Sequence, residues 1–220
     1  MSNTKTKQNI QRISVTAMLV ALAFVGVLLG RLVPNVAGFL SYDPKDVIVV
    51  IGGFIYGPVT ALVVSVLCSL IEMFTISTTG LYGLLMNIVS TCAFALPAAF
   101  IYKKVRKMRG AVIGLIVGVF VMTIMMMLWN YIITPFYMGV DRSVVAGMMM
   151  SVFAPFNFFK GGINMGLTLL LYKPVITALR KTHLVEESAG GSKFQIKFLL
   201  IGLPVLVTFV LLFLVLLGIL

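Results

Sequence analysis

Apolar residues run almost unbroken over 13–30, 47–56, 58–75, 81–102, 111–135, 150–172 and 196–219, and most polar residues collect between these runs. Such runs predict membrane-embedded helices. The stretch 47–75 poses a choice between one tilted helix and two helices with a turn at Gly57-Pro58. Proline removes an amide donor and disfavours helix at the preceding residue, which favours the turn. Basic residues then decide. With a turn, all of the 17 Lys and Arg except Arg31, Lys45, Arg142 and Lys160 fall on one side. Without it, the cluster Lys103, Lys104, Arg106, Lys107 and Arg109 crosses over, against the positive-inside rule.

The pattern therefore predicts an all-α integral membrane protein of the cell membrane, multi-pass, with its N-terminus cytoplasmic. A tail over 1–12 precedes a six-helix membrane domain over 13–180, a polar linker over 181–195, and an additional transmembrane helix over 196–220. The last run is almost purely Leu, Val, Ile and Phe, and is expected to be a lipid-facing accessory helix. Near the N-terminus the apolar run continues past a signal-peptide core with no small-residue cleavage site, so it reads as a first span.

Composition agrees. Hydrophobic residues make up 60% of the chain and charged residues 10%, which excludes a soluble domain. The net charge of +11 is spread through short loops, so topology explains it better than nucleic-acid binding. Cys68 and Cys92 stand within apolar runs without a CxxC pair or a nearby histidine, and His183 lies in a polar tail, so no metal site is expected.

Within the runs, polar residues recur every three or four positions, which places them on one face of each helix. The third run offers Ser65, Cys68, Ser69 and Glu72, and the fourth Asn87, Ser90 and Thr91. The fifth holds Trp129-Asn130-Tyr131 towards its end, and the sixth offers Asn157, Lys160, Asn164 and Thr168. Ser and Thr in such positions ordinarily serve helix packing. Trp129 and Tyr131 read equally well as interfacial aromatics. A buried amide or ion is costly in hydrocarbon unless it meets a partner or a ligand. Candidate substrate-binding residues are therefore Glu72, Asn87, Asn130, Asn157 and Lys160, joined by Trp129 and Tyr131 beside Asn130 and by Asp43 and Asp46 of the outer loop over the same end. A structural Glu72–Lys160 ion pair is the rival reading.

These faces would converge on a cavity at the outer end, suited to a small, polar, ring-bearing molecule. No nucleotide-binding loop, HExxH helix, GxSxG elbow or Ser/His/Asp set is present, so an enzyme is not expected. Neither the inverted repeat of many secondary transporters nor an ion filter is evident. A stand-alone secondary transporter or a structural membrane protein remain the readings from other classes.

An ordered series of short motifs carries a resemblance. Ala17 and Ala21 form an AxxxA, Asp43 and Asp46 a DxxD before the second helix, and Gly52/Gly53-Phe54 to Gly57-Pro58 a GxFxxGP turn. Asn87, Asn130-Tyr131 with Pro135-Phe136-Tyr137, and Phe156-Asn157 to Lys160 with Tyr172-Lys173 follow in order. Over about residues 10–180 the chain resembles the substrate-binding S component of an energy-coupling factor (ECF) vitamin transporter, in the subgroup of the riboflavin S component. That resemblance implies a six-helix S-component bundle plus one C-terminal accessory transmembrane helix. It also implies that Ala17 and Ala21 dock on a transmembrane T component driven by two cytoplasmic ATPases, ATP being used by those partners and no cofactor by this chain. Riboflavin members carry a Lys-Asn pair in the third helix where Cys68 and Ser69 stand here. Pantothenate, pyridoxine and hydroxymethylpyrimidine are therefore alternatives to a flavin.

Overall fold

The computed structural model describes residues 2–181 and 196–220, so most of the predicted linker over 181–195 lies outside the described residues. Among those described the regular structure is helical, apart from an isolated antiparallel bridge between Val36 and Leu40 in the loop that follows the first helix. The helices are α1 (Ser2–Gly30), α2 (Lys45–Tyr56), α3 (Pro58–Thr75), α4 (Gly80–Lys104) and α5 (Met108–Met138). They continue as α6 (Arg142–Met148), a π-helical turn (Met149–Phe153), α7 (Ala154–Lys181) and α8 (Ile196–Leu216).

Gly57 separates α2 from α3. Its φ of 95° is one that side chains with a Cβ rarely adopt, its amide closes α2 on the Gly53 carbonyl at 2.8 Å, and Pro58 opens α3. A missing amide costs nothing at the first position of a helix, whereas a left-handed φ there calls for glycine. The sixth predicted run begins earlier than its apolar composition indicates. The π-turn joins α6 to α7 into one continuous helical stretch over Arg142–Lys181, long and apolar enough to cross a membrane.

α2 occupies the middle of the bundle. It packs against α1, α3, α4 and α7, and most of its residues, Lys45 and Asp46 included, are buried. A Cβ at Gly53 would stand 2.9 Å from Ala99 Cβ and 3.1 Å from Ala61 Cβ, so a glycine lets α2 pass closely between α3 and α4. The main apolar core surrounds it, with Leu19, Val50, Ile51, Val64, Phe94, Leu115 and Met122 at its centre. A second, smaller cluster sits at the end that carries the 31–44 loop. It joins Val36 and Leu40 of that loop to Val145, Phe153, Phe156, Ile163 and Phe213.

α8 departs in part from expectation. Most of its surface is exposed, as in a lipid-facing helix, but it packs along α7 and buries Phe198 and Phe213.

Candidate functional site

At the loop-bearing end, the ends of α3, α4, α5 and α7 and the 31–44 loop enclose a cavity of about 410 Å³. Cavities of a few hundred Å³ hold small organic ligands. Phe39, Tyr42, Tyr82, Tyr137 and Phe156 give it aromatic surfaces, while Asp43, Glu72, Asn87, Ser90, Asn130, Asn157 and Lys160 give it polar ones. Arg31, also on its wall, donates a hydrogen bond to the Ile76 carbonyl and so ties the end of α1 to the end of α3.

Two ionic networks lie within and beneath this surface. In the first, Lys45 is fully buried, with its ammonium 2.6 Å from Asp43 Oδ2 and 2.9 Å from Glu72 Oε2. Asn87 Nδ2 donates to the same Glu72 oxygen at 2.9 Å. In the second, Lys160 Nζ stands 3.6 Å from Asp46 Oδ2 and 3.4 Å from Ser90 Oγ. Asp46 also accepts from Thr91 Oγ1 at 2.6 Å and from Asn164 Nδ2 at 3.2 Å.

Asn164 links the two networks. Its Nδ2 also reaches the Asp43 carbonyl at 3.2 Å, and its Oδ1 accepts from the Tyr42 hydroxyl at 2.8 Å. Burial pushes the Asp43 carboxyl towards its neutral form, but the Lys45 and Lys160 ammonium groups outweigh this and hold it below the usual carboxylate range. The loop therefore presents an anion to the cavity. Three carboxylates, Asp43, Asp46 and Glu72, face two ammonium groups, Lys45 and Lys160, so the cluster carries no excess of positive charge.

The structure places the predicted residues unevenly. Asp43, Glu72, Asn87, Asn130, Asn157 and Lys160 come together on the cavity wall. Asp46 is fully buried behind Lys160 and is not part of the wall. Trp129 and Tyr131 are also outside it. Successive helical residues point about 100° apart, so with Asn130 turned inward its two neighbours turn aside. Trp129 is half-buried, and Tyr131 is exposed under the Arg142 guanidinium. Glu72 and Lys160 do not pair with each other, because each is taken by a charge at or beside the start of α2.

Part of the amide chemistry is spent internally. Asn130 Nδ2 donates to the Met126 carbonyl at 2.7 Å while its Oδ1 accepts from Thr134 at 2.9 Å. Asn157 Nδ2 donates to the Phe153 carbonyl at 2.8 Å. An amide offers two donors and one acceptor oxygen, so both side chains are oriented by their own helix and keep capacity for a ligand.

Sequence reasoning left Lys45, Tyr42 and Asn164 out of the candidate set. For Asn164 the signal was its place one helical turn after Lys160 and two after Asn157. For Lys45 it was a cation at the head of an apolar run. Cys68 and Ser69 are both buried away from the cavity wall.

Comparison with known proteins is consistent with this geometry. Residues 11–172 match the family described as the ECF transporter, substrate-specific component. The riboflavin transporter FmnP of Bacillus subtilis (strain 168) is 30% identical over 192 residues, covering 80% of this chain and 98% of that protein. The riboflavin transporter RibU of Staphylococcus aureus (strain TCH60) is 29% identical over 188 residues, covering 81% and 99%. A solved S component of a bacterial ECF transporter superposes with a TM-score of 0.67 at 28% identity, covering 78% of this chain and 99% of that one. With the family match extending over most of its length, this membrane protein belongs to the substrate-specific components of ECF transporters, which are transport subunits and not enzymes.

Proposed function

We propose that the chain captures riboflavin, or a flavin of the same ring-and-polyol chemistry, in the cavity at the loop-bearing end. The carrying observation is the mixed lining of that cavity. Aromatic faces from Phe39, Tyr42, Tyr137 and Phe156 suit a planar ring system, and Asn87, Asn130, Asn157 and Lys160 suit its polar edge and hydroxyl groups. Two relatives aligned over nearly their whole lengths are riboflavin transporters. Cys68 and Ser69, where the resemblance leads one to expect a Lys-Asn pair in a riboflavin member, lie off the cavity wall and so do not argue against a flavin.

The purified protein is expected to bind riboflavin with a dissociation constant of about 1 μM or tighter, read from quenching of flavin fluorescence. No quenching at tenfold higher concentrations, with saturable binding of pantothenate, pyridoxine or hydroxymethylpyrimidine instead, would reject the flavin.

The distribution of basic residues supports a cytoplasmic N-terminus, with the cavity opening on the outer face. Transport then requires a T component and two cytoplasmic ATPases, which consume the ATP; the chain itself uses no cofactor. Ala17 and Ala21 support a docking role because both are exposed one turn apart on α1, where small side chains allow close helix approach. Ala21→Trp is expected to leave riboflavin affinity within about twofold and to cut ATP-driven uptake by the reconstituted complex at least about tenfold. Undiminished uptake would refute this docking face.

A further inference from the structure

The family match ends at residue 172, before α8 begins at Ile196, yet α8 is closely fitted to the body. A Cβ at Gly162 of α7 would run into the Phe209 ring, and one at Gly166 would lie 2.8 Å from the Leu206 backbone. In return, Gly202 of α8 faces Leu170 of α7, where a Cβ would lie 3.0 Å from its side chain. This is the small-residue packing by which membrane helices approach closely.

The fit continues to the ligand cavity. Phe213, only 4% exposed, has its ring centroid 5.9 Å from that of Tyr42 and 6.2 Å from that of Phe156, and both of those rings line the cavity. It also shares one apolar cluster with Val36 and Leu40 of the 31–44 loop.

That loop has little regular backbone pairing to fix it. The Val36–Leu40 bridge lies within the loop itself, so its place over the cavity depends on side-chain anchors. Tyr42 is the anchor that reaches farthest, through its hydroxyl to Asn164 and so to the Asp43 carbonyl and Asp46. Phe213 stands against the ring of that tyrosine.

We propose that Phe213 of α8 is a positioning residue for the ligand cavity, holding Tyr42 and with it the 31–44 loop in place. Its effect on affinity rests on the reading of this cavity as the flavin site; its effect on the loop does not. Removing the ring leaves space beside Tyr42, the loop loses an anchor, and bound ligand escapes faster. Phe198 provides the matched control. It is buried to the same degree on the same helix, at 5% exposure, but packs 6.0 Å from Tyr172, which is not among the cavity-lining residues.

The test compares full-length Phe213→Ala and Phe198→Ala proteins in three measurements: thermal midpoint, riboflavin affinity with release rate, and amide hydrogen exchange over residues 36–42 without ligand. Both variants should lower the midpoint to a similar extent. Only Phe213→Ala should weaken riboflavin binding, by about three- to tenfold through faster release, and speed exchange in the loop. Phe213→Leu, which keeps an apolar filler, should recover part of both effects, and it takes the place of the alanine variant if that protein does not fold. Equal effects of the two alanine variants on binding and exchange, or no change at Phe213, would overturn the proposal. If the unaltered protein does not bind riboflavin, the flavin reading fails by itself and the exchange comparison still decides the role of Phe213.

Discussion

Lys45→Met is expected to destabilise the protein by about 3–5 kcal/mol and to abolish ligand binding. Lys45 is fully buried between two carboxylates, 2.6 Å from Asp43 and 2.9 Å from Glu72. Methionine keeps most of the apolar stem and removes the charge, which leaves two carboxylates close together with Asn87 as the main remaining partner of Glu72. An unpaired buried charge is costlier than a pair is valuable, so the loss should exceed that of an exposed ion pair several-fold. Binding fails with it, because both carboxylates are on the cavity wall. The thermal midpoint in detergent reads the effect. Adding Glu72→Gln to Lys45→Met should restore part of the stability, since one orphaned charge is then gone. A single variant as stable as the parent would show that the ion pairs do not hold α2 in place.

Lys160→Met is expected to weaken riboflavin binding about ten- to hundredfold, the range of a lost charge-assisted hydrogen bond. Lys160 also neutralises Asp46, so a change in binding could come from a disturbed Asp46 and not from the ligand contact. Combining Lys160→Met with Asp46→Asn separates the two. The neutral amide introduced by Asp46→Asn no longer needs a cation and keeps an oxygen for Thr91, although its NH2 then faces the Asn164 donor, so the double variant should regain part of the stability while its affinity stays low. Recovery of affinity along with stability would mean that Lys160 serves only Asp46.

The helical architecture was legible because hydrocarbon imposes it. Runs of apolar residues have to close their backbone hydrogen bonds within the helix, and Gly57-Pro58 marked the break that charge placement required. The site was legible where one residue type had a single low-cost environment. Asn87, Asn130, Asn157, Glu72 and Lys160 were costly inside a span, and all five reached the cavity wall. Legibility failed where the deciding fact was a neighbour distant in sequence. Lys45 follows a loop and reads as an exposed cation, whereas α3 brings Glu72 against it from 27 positions away. Trp129 and Tyr131 flank an amide that does line the cavity, but an apolar span has too little sequence contrast to set its rotation to within one residue. The inward rings of α8 were hidden for a similar reason, since a helix made of Leu, Val, Ile and Phe does not announce which side it buries.

The position of α2 has a consequence for how the protein is made. Its 12 residues rise about 18 Å, well short of a hydrocarbon core of about 30 Å, and its first turn carries Lys45 and Asp46. An insertion machine reading segments as they emerge would find little reason to release α2 into lipid by itself, because each such charge opposes partitioning. Asp43 and α1 precede it, but its other partners, Glu72 of α3, Thr91 of α4, and Lys160 and Asn164 of α7, are synthesised later. The second helix to be translated is thus among the last that can reach its final environment, and the candidate ligand cavity is completed only when nearly the whole chain has entered the membrane.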